Sequence, residues 1–273
     1  MNEYEQYALE EINRWKNPPR TKLDELIEVV AKPFDKVGGI ILDNKAGEAV
    51  TKAIQGIISL INDGTSWTVR DEAIFEEFRN DGHSYVRCHQ DVHQLDLLKV
   101  DKTLGYLGAK YKLIAASEGA ATGILGAPGI AADIPLIFGI VLRAIGEYAT
   151  YYGFDLDNQA ERAYVLHILM AATSPSLAAK QAALAELARI AAAIARKKTW
   201  VEIEKFLTAG AIKKIGQALG YRITKGKLGQ IVPVVGIFVG GGYNAYFASC
   251  ACETAFYLYR ERFISRKYGI VVA

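Results

Sequence analysis

Asp133, Arg143, Glu147, Asn244 and Glu253 are polar residues set inside otherwise apolar stretches of the sequence, so any chemistry this chain performs should be sought there first. A polar group buried among apolar neighbours must find a partner or it costs stability. Arg143 and Glu147 are spaced i,i+4 and can pair across one helical turn. Asp133 precedes Ile134-Pro135, where a carboxylate could cap a helix that opens with proline. Asn244 fits a hydrogen bond between two helices that fixes their register. Glu253 is the least explained. If the fold brought Glu147 and Glu253 together, the two acids could act as an acid/base pair or as metal ligands.

A second cluster is GHSYVRCHQDVH, in which His89 and His93 lie one helical turn apart beside Cys88 and Asp91. Such a pair is a competent zinc half-site. No H-E-x-x-H accompanies it and no further ligands stand at fixed spacing, so histidines before a helix are the plainer reading and neither metal nor cofactor is expected. His167, among Val165, Leu166, Ile168 and Leu169, reads as a core histidine. The sequence has no G-x-S-x-G, no phosphate-binding G-x-x-x-x-G-K-[ST] and no dinucleotide fingerprint. Asp155 and Asp157 read as acids at a helix start, with too few alternating ligands for calcium.

The elements that must position these residues read as helices. Residues 4–16 carry Tyr4, Tyr7, Ala8, Glu11 and Trp15 at helical spacing until Pro18-Pro19 stops them. Leu23, Leu26, Ile27 and Val30, and then residues 46–61 with Val50, Ile54, Ile57, Ile58 and Ile61, repeat the pattern. Thr65 or Ser66 could cap a fourth helix through Trp67, Ile74, Phe75 and Phe78. Residues 95–117 read as one further helix, and residues 174–198 as an alanine-rich helix with a proline near its start, striped with Leu177, Leu184, Leu187, Ile190 and Ile194. No β-alternation is long enough for a sheet.

Two glycine-rich apolar segments depart from the amphipathic pattern, one from Gly119 and one from Leu228. Each runs through glycines and proline into an apolar stretch, then an acid followed by tyrosines, in the manner of a degenerate internal duplication. Gly236, Gly240 and Asn244 form one small-residue ridge, and Gly119, Gly123, Ala127 and Ala131 another, so the two segments are expected to pack together. The expected fold is all-α, a helical bundle around these segments, with a helical subdomain over 1–94 and the main domain over 95–273.

The composition sets the remaining bounds. The chain has 273 residues, 51% hydrophobic and 23% charged, enough for a large core. A net charge of +2 argues against nucleic acid as a partner. Three cysteines, two of them Cys250 and Cys252, make no disulfide framework and suit a reducing interior. The acidic, amphipathic N-terminus has the features of neither a signal nor a transit peptide.

Residues 228–252 lack any charge over a length that could cross a bilayer, yet Gln230, Pro233, Asn244 and several glycines keep the stretch less apolar than a leucine-rich span. Lys197, Lys198, Lys205, Lys213, Lys214, Arg222, Lys225 and Lys227 precede it, and Arg260, Arg262, Arg266 and Lys267 follow. Basic residues beside an apolar segment are what an anionic leaflet attracts.

The run Gly119-Ala120-Ala121-Thr122-Gly123, with Asp133-Ile134-Pro135, Arg143, Tyr152-Gly153-Phe154-Asp155 and Glu161-Arg162, resembles the first half of the EcsC family. Ile231-Val232-Pro233-Val234-Val235-Gly236, with Gly240, Asn244 and Arg260-Glu261-Arg262-Phe263, resembles its second half. The likeness spans about Leu95 to Lys267. The family is named for a gene beside an ABC-transporter pair, and the resemblance brings no catalytic residue with it. The expected function is a non-enzymatic accessory protein, cytoplasmic and peripheral at the inner face of the cell membrane, whose partner is an anionic membrane surface or a transporter-linked membrane protein. The alternative is a small-ligand binder or metal-dependent hydrolase with its site between the two apolar segments.

Overall fold

The computed structural model describes residues 1–18, 69–124, 127–174, 177–199, 202 and 233–270, with 123, 124, 127–135 and 233–240 described by backbone alone. The helices expected over 23–30 and 46–61, and the cap expected at Thr65 or Ser66, lie outside these residues.

Helix α1 (Glu3–Lys16) opens on a reciprocal cap: the Asn2 side chain accepts from the Glu5 N–H at 2.9 Å, and the Glu5 carboxylate accepts from the Asn2 N–H at 3.0 Å. It ends at Lys16, just before Pro18-Pro19. Next come α2 (Asp71–Asn80), the single turn α3 (His89–Val92), α4 (Leu97–Leu104) and α5 (Leu107–Ile124). The single helix expected over 95–117 is therefore two. Gly105 divides them at φ +53, a left-handed backbone angle that glycine adopts without a Cβ penalty.

Helix α6 (Ala127–Tyr151) carries the first glycine-rich segment, followed by α7 (Gln159–Ala172) and α8 (Leu177–Ala195). The second becomes one long helix, α9 (Pro233–Tyr268). At 1.5 Å per residue it is roughly 54 Å long. Among the described residues there is no strand, and the fold is all-α.

The two glycine-rich segments pack against each other, with Phe138 of α6 and Phe247 of α9 at 5.7 Å between ring centres. The most extensive contact is between α5 and α9. These run antiparallel, since Gly241 lies opposite Ala116 and Ala120, and Cys252 lies opposite Gly108. A Cβ on Gly241 would sit 2.9 Å from the carbonyl oxygen of Ala116. Gly241 is thus a position where the close approach of α5 and α9 demands glycine; the surroundings of Gly236 and Gly240 lie outside what is described. Buried around this pair are Val141, Ile145, Tyr152, Leu166, Leu169, Phe247, Tyr259 and Phe263, and α8 docks its Leu184, Leu187 and Ile190 against α7. Ala8 of α1 and Ile74, Phe75 and Phe78 of α2 join the same core.

Candidate functional site

Glu147 is a buried carboxylate, and its two oxygens are taken by different cations. Arg143 Nε donates to one at 3.1 Å, the helical-turn pairing that the spacing anticipates, and Lys110 Nζ of α5 reaches the other at 3.1 Å. Lys110 is 55% exposed and Arg143 41%, so the pair stands where the α5–α6 seam meets solvent. Tyr111 lies beside them, its hydroxyl held above its usual pKa by burial and then by the Glu147 carboxylate. Burial likewise pushes the Cys252 thiol up to about 12, aided by Glu147. Both groups are therefore kept in their neutral forms and are poor nucleophiles.

Asn244 donates through Nδ2 to Glu118 Oε2 at 2.8 Å, a hydrogen bond from α9 to α5 at the depth where the two backbones come closest. Glu253 is on the exposed face of α9, whereas Glu147 is buried on α6. The structure does not bring the two acids together, because the face of α9 that meets α5 and α6 presents Asn244, Phe247, Ala248, Ala251 and Cys252. Asp133 falls inside α6, not at its start, and so is not the cap that Ile134-Pro135 suggested; its side chain is outside the described residues. The helix has already begun at Ala127 and continues past Pro135, which has no N–H to give the Ala131 carbonyl.

His89 opens α3 and His93 is its C-cap, and each ring takes a different neighbour. The His93 Nε2–H donates to the Gly153 carbonyl at 2.8 Å, and its ring lies against Phe154 and Phe263. Burial, and then Arg266, lower its pKa to about 4. His89 turns its Nε2 towards Asp71, 3.6 Å away, and its ring edge towards Phe75. Among the described residues no group of three or more histidines, cysteines or carboxylates is placed to hold a metal ion.

The densest polar chemistry lies where the sequence reading placed lipid-facing cations. Arg260 is 2% exposed. Its Nε meets Asp101 of α4 at 3.0 Å and its Nη1 meets Glu11 of α1 at 3.1 Å. The hydroxyls of Tyr4 and Tyr152 donate to Asp101 at 2.7 and 2.6 Å. Burial raises the Asp101 pKa against the opposing pull of Arg260. Glu261 takes Lys16 of α1 at 2.5 Å. Arg262 binds Glu161 of α7 at 2.6 and 2.7 Å. Lys267 joins Glu5 at 2.8 Å and Asp96 at 3.0 Å.

Arg260, Arg262 and Lys267 therefore face neighbouring helices, and of the four cations expected to flank the apolar segment on this side only Arg266 is exposed. Lys205, Lys213, Lys214, Arg222, Lys225 and Lys227 lie outside the described residues. The signal that could have found this network was already present: in Arg260-Glu261-Arg262, charges of alternating sign project around one helix and so reach different neighbours.

An all-α bundle clamped by such inter-helix ion pairs is the class the structure defines. Within it, the chain belongs to the EcsC protein family, whose model matches residues 6–264 and so reaches into α1, beyond the likeness read from Leu95 onward. It is 26% identical over 259 residues to the uncharacterized protein YdbA of Bacillus subtilis (strain 168), covering 93% of this chain and 90% of that one. It is 25% identical over 191 residues to Protein EcsC of the same organism, covering 69% and 74%. No solved structure matches.

Proposed function

We propose that the chain is a non-enzymatic accessory protein that works by docking, peripherally, at the cytoplasmic face of a membrane or on a membrane-protein partner there. The observation that carries this reading is how its charged and polar groups are used. Arg143 with Glu147, Asn244 with Glu118, Arg260 with Asp101 and Arg262 with Glu161 are each committed to joining helices or adjacent turns. Each is thereby drawn away from the role of an acid, base or nucleophile aimed at a substrate. What the bundle offers to other molecules is surface, and Tyr106, just before α5, with Leu113 and Ile114 on it, stands in solvent.

Among the described residues no helix is long and apolar enough to cross a membrane, which suits attachment from one side. Fractionation of cells producing the full chain tests the reading: the protein is expected to sediment with membranes at low salt and to leave them in high salt without detergent. Recovery wholly in the soluble fraction at low salt would remove the proposal.

A further inference from the structure

We infer that the face formed by α4 and α5 is a docking surface for an anionic lipid bilayer; this rests on the docking role proposed above and names the partner.

The outward side of a helix in water is ordinarily charged or polar. Exposed along α5 and the turn before it are Tyr106, Ala109, Lys110, Lys112, Leu113, Ile114 and Ser117, only the two lysines among them charged. Tyr106 is 90% and Leu113 69% exposed. Gly105, at φ +53, makes the corner that throws Tyr106 outward, and on the α4 side of the corner Leu98 is also exposed.

Lys99 and Lys102 of α4 are exposed as well, and Lys110, 55% exposed, shares its charge with Glu147. Asp101 is the one carboxylate in residues 97–117, and it is turned inward to Arg260 and the two tyrosines. Asp81, which takes the Thr103 hydroxyl at 2.7 Å, marks the edge towards α2 where the basic face stops.

Charge decides the occupant. A second copy docking through the same face would set lysines against lysines, which a self-complementary interface disfavours. An anionic bilayer matches the face on both counts: lysine stems lie along apolar surface while their ammonium groups reach phosphates, and tyrosine, leucine and isoleucine sink to the level of the acyl boundary. The helix would then lie along the surface rather than through it.

The test is co-sedimentation of the purified full chain with phosphatidylcholine vesicles, with and without phosphatidylglycerol. The wild type is expected to bind only the anionic vesicles and to be released by salt, since exposed charges are screened within about 8 Å at physiological ionic strength. A near-surface lysine contributes about fivefold in affinity, so Lys102→Glu with Lys112→Glu should weaken binding by more than about tenfold.

Leu113→Asp should also abolish tight binding, while Arg196→Glu with Lys198→Glu, the same change in net charge on exposed residues of the α8 end, should leave it unaltered. Circular dichroism confirms that each variant is folded. Equal loss in the α8-end variant, or unchanged binding in the α4–α5 variants, overturns the assignment of this face. A chain that sediments with cell membranes yet ignores anionic vesicles overturns the lipid partner and leaves the accessory role standing, with a membrane protein in its place.

Discussion

Arg262 of α9 grips Glu161 of α7 with two parallel hydrogen bonds, 2.6 and 2.7 Å long, while its guanidinium lies against the rings of Phe154 and Tyr164, 4.1 and 4.2 Å from their centres. Burial opposes the charge, but Glu161 more than offsets it and raises the Arg262 pKa. A lysine can supply neither the fork nor the stack. Arg262→Met should therefore cost about 3–5 kcal/mol by leaving Glu161 buried and uncompensated. Arg262→Met with Glu161→Met should cost less than either single change, because the apolar pair removes both desolvated charges. Urea unfolding of the three variants checks this; a double variant whose loss equals the sum of the two singles would contradict the pairing.

Exposure, not distance, separates two ion pairs of the same length. Lys110 stands 3.1 Å from Glu147 and is 55% exposed, and Arg260 stands 3.1 Å from Glu11 and is almost fully covered. Lys110→Ala should cost less than about 1 kcal/mol, since water screens the pair and Arg143 still holds Glu147. Arg260→Ala should cost about 3 kcal/mol or more, because Asp101 is left buried beside two tyrosine hydroxyls. Comparable losses from the two in chemical denaturation would contradict the account.

Much of the frame was legible in the sequence. The proline pair fixed the end of α1, the apolar stripe of α8 gave its buried face, and the i,i+4 spacing gave Arg143 to Glu147. Local spacing could reveal these because the partners are local. The remainder depends on distance along the chain. His93 owes its environment to Gly153 and Phe263, and Arg260 owes its environment to α1 and α4, neither of which periodicity can join. The face of α9 was obscured because small and apolar residues surround it on every side, so the exposed Glu253 and the buried Asn244 looked alike. Gly105 was missed as a break because a lone glycine in a helical pattern is tolerated unless its φ turns positive.

Acid should loosen the fold through His93. Its pKa lies at about 4 in the folded chain against an ordinary 6.5, because burial, and then Arg266, oppose its charge. The unfolded chain therefore takes up this proton first as pH falls. The contribution of neutral His93 is intact above pH 6.5 and is progressively lost towards pH 4, up to about 3 kcal/mol. His93→Gln, whose amide can still donate to the Gly153 carbonyl, should flatten the pH dependence of urea stability in that window. An unchanged slope would contradict the assignment.

Neighbouring glycines of α9 should respond with opposite sign. Gly241→Ala places a methyl 2.9 Å from the Ala116 carbonyl oxygen and must push α5 and α9 apart, for a loss of about 1–3 kcal/mol. At Gly242 nothing lies within 4 Å of a new Cβ, so Gly242→Ala should gain about 0.5–1 kcal/mol from helix propensity. Thermal melts of the pair decide it, and destabilisation by both would contradict the antiparallel contact described.

Docking through one face rather than catalysis within the bundle is most directly tested by amide hydrogen exchange on the full chain, with and without membranes from the cells that make it. Slowed exchange confined to residues 97–117, with the α7–α8 region unaffected, is the predicted result. No change along α4 and α5 when membranes are added, or protection appearing only elsewhere, would contradict it.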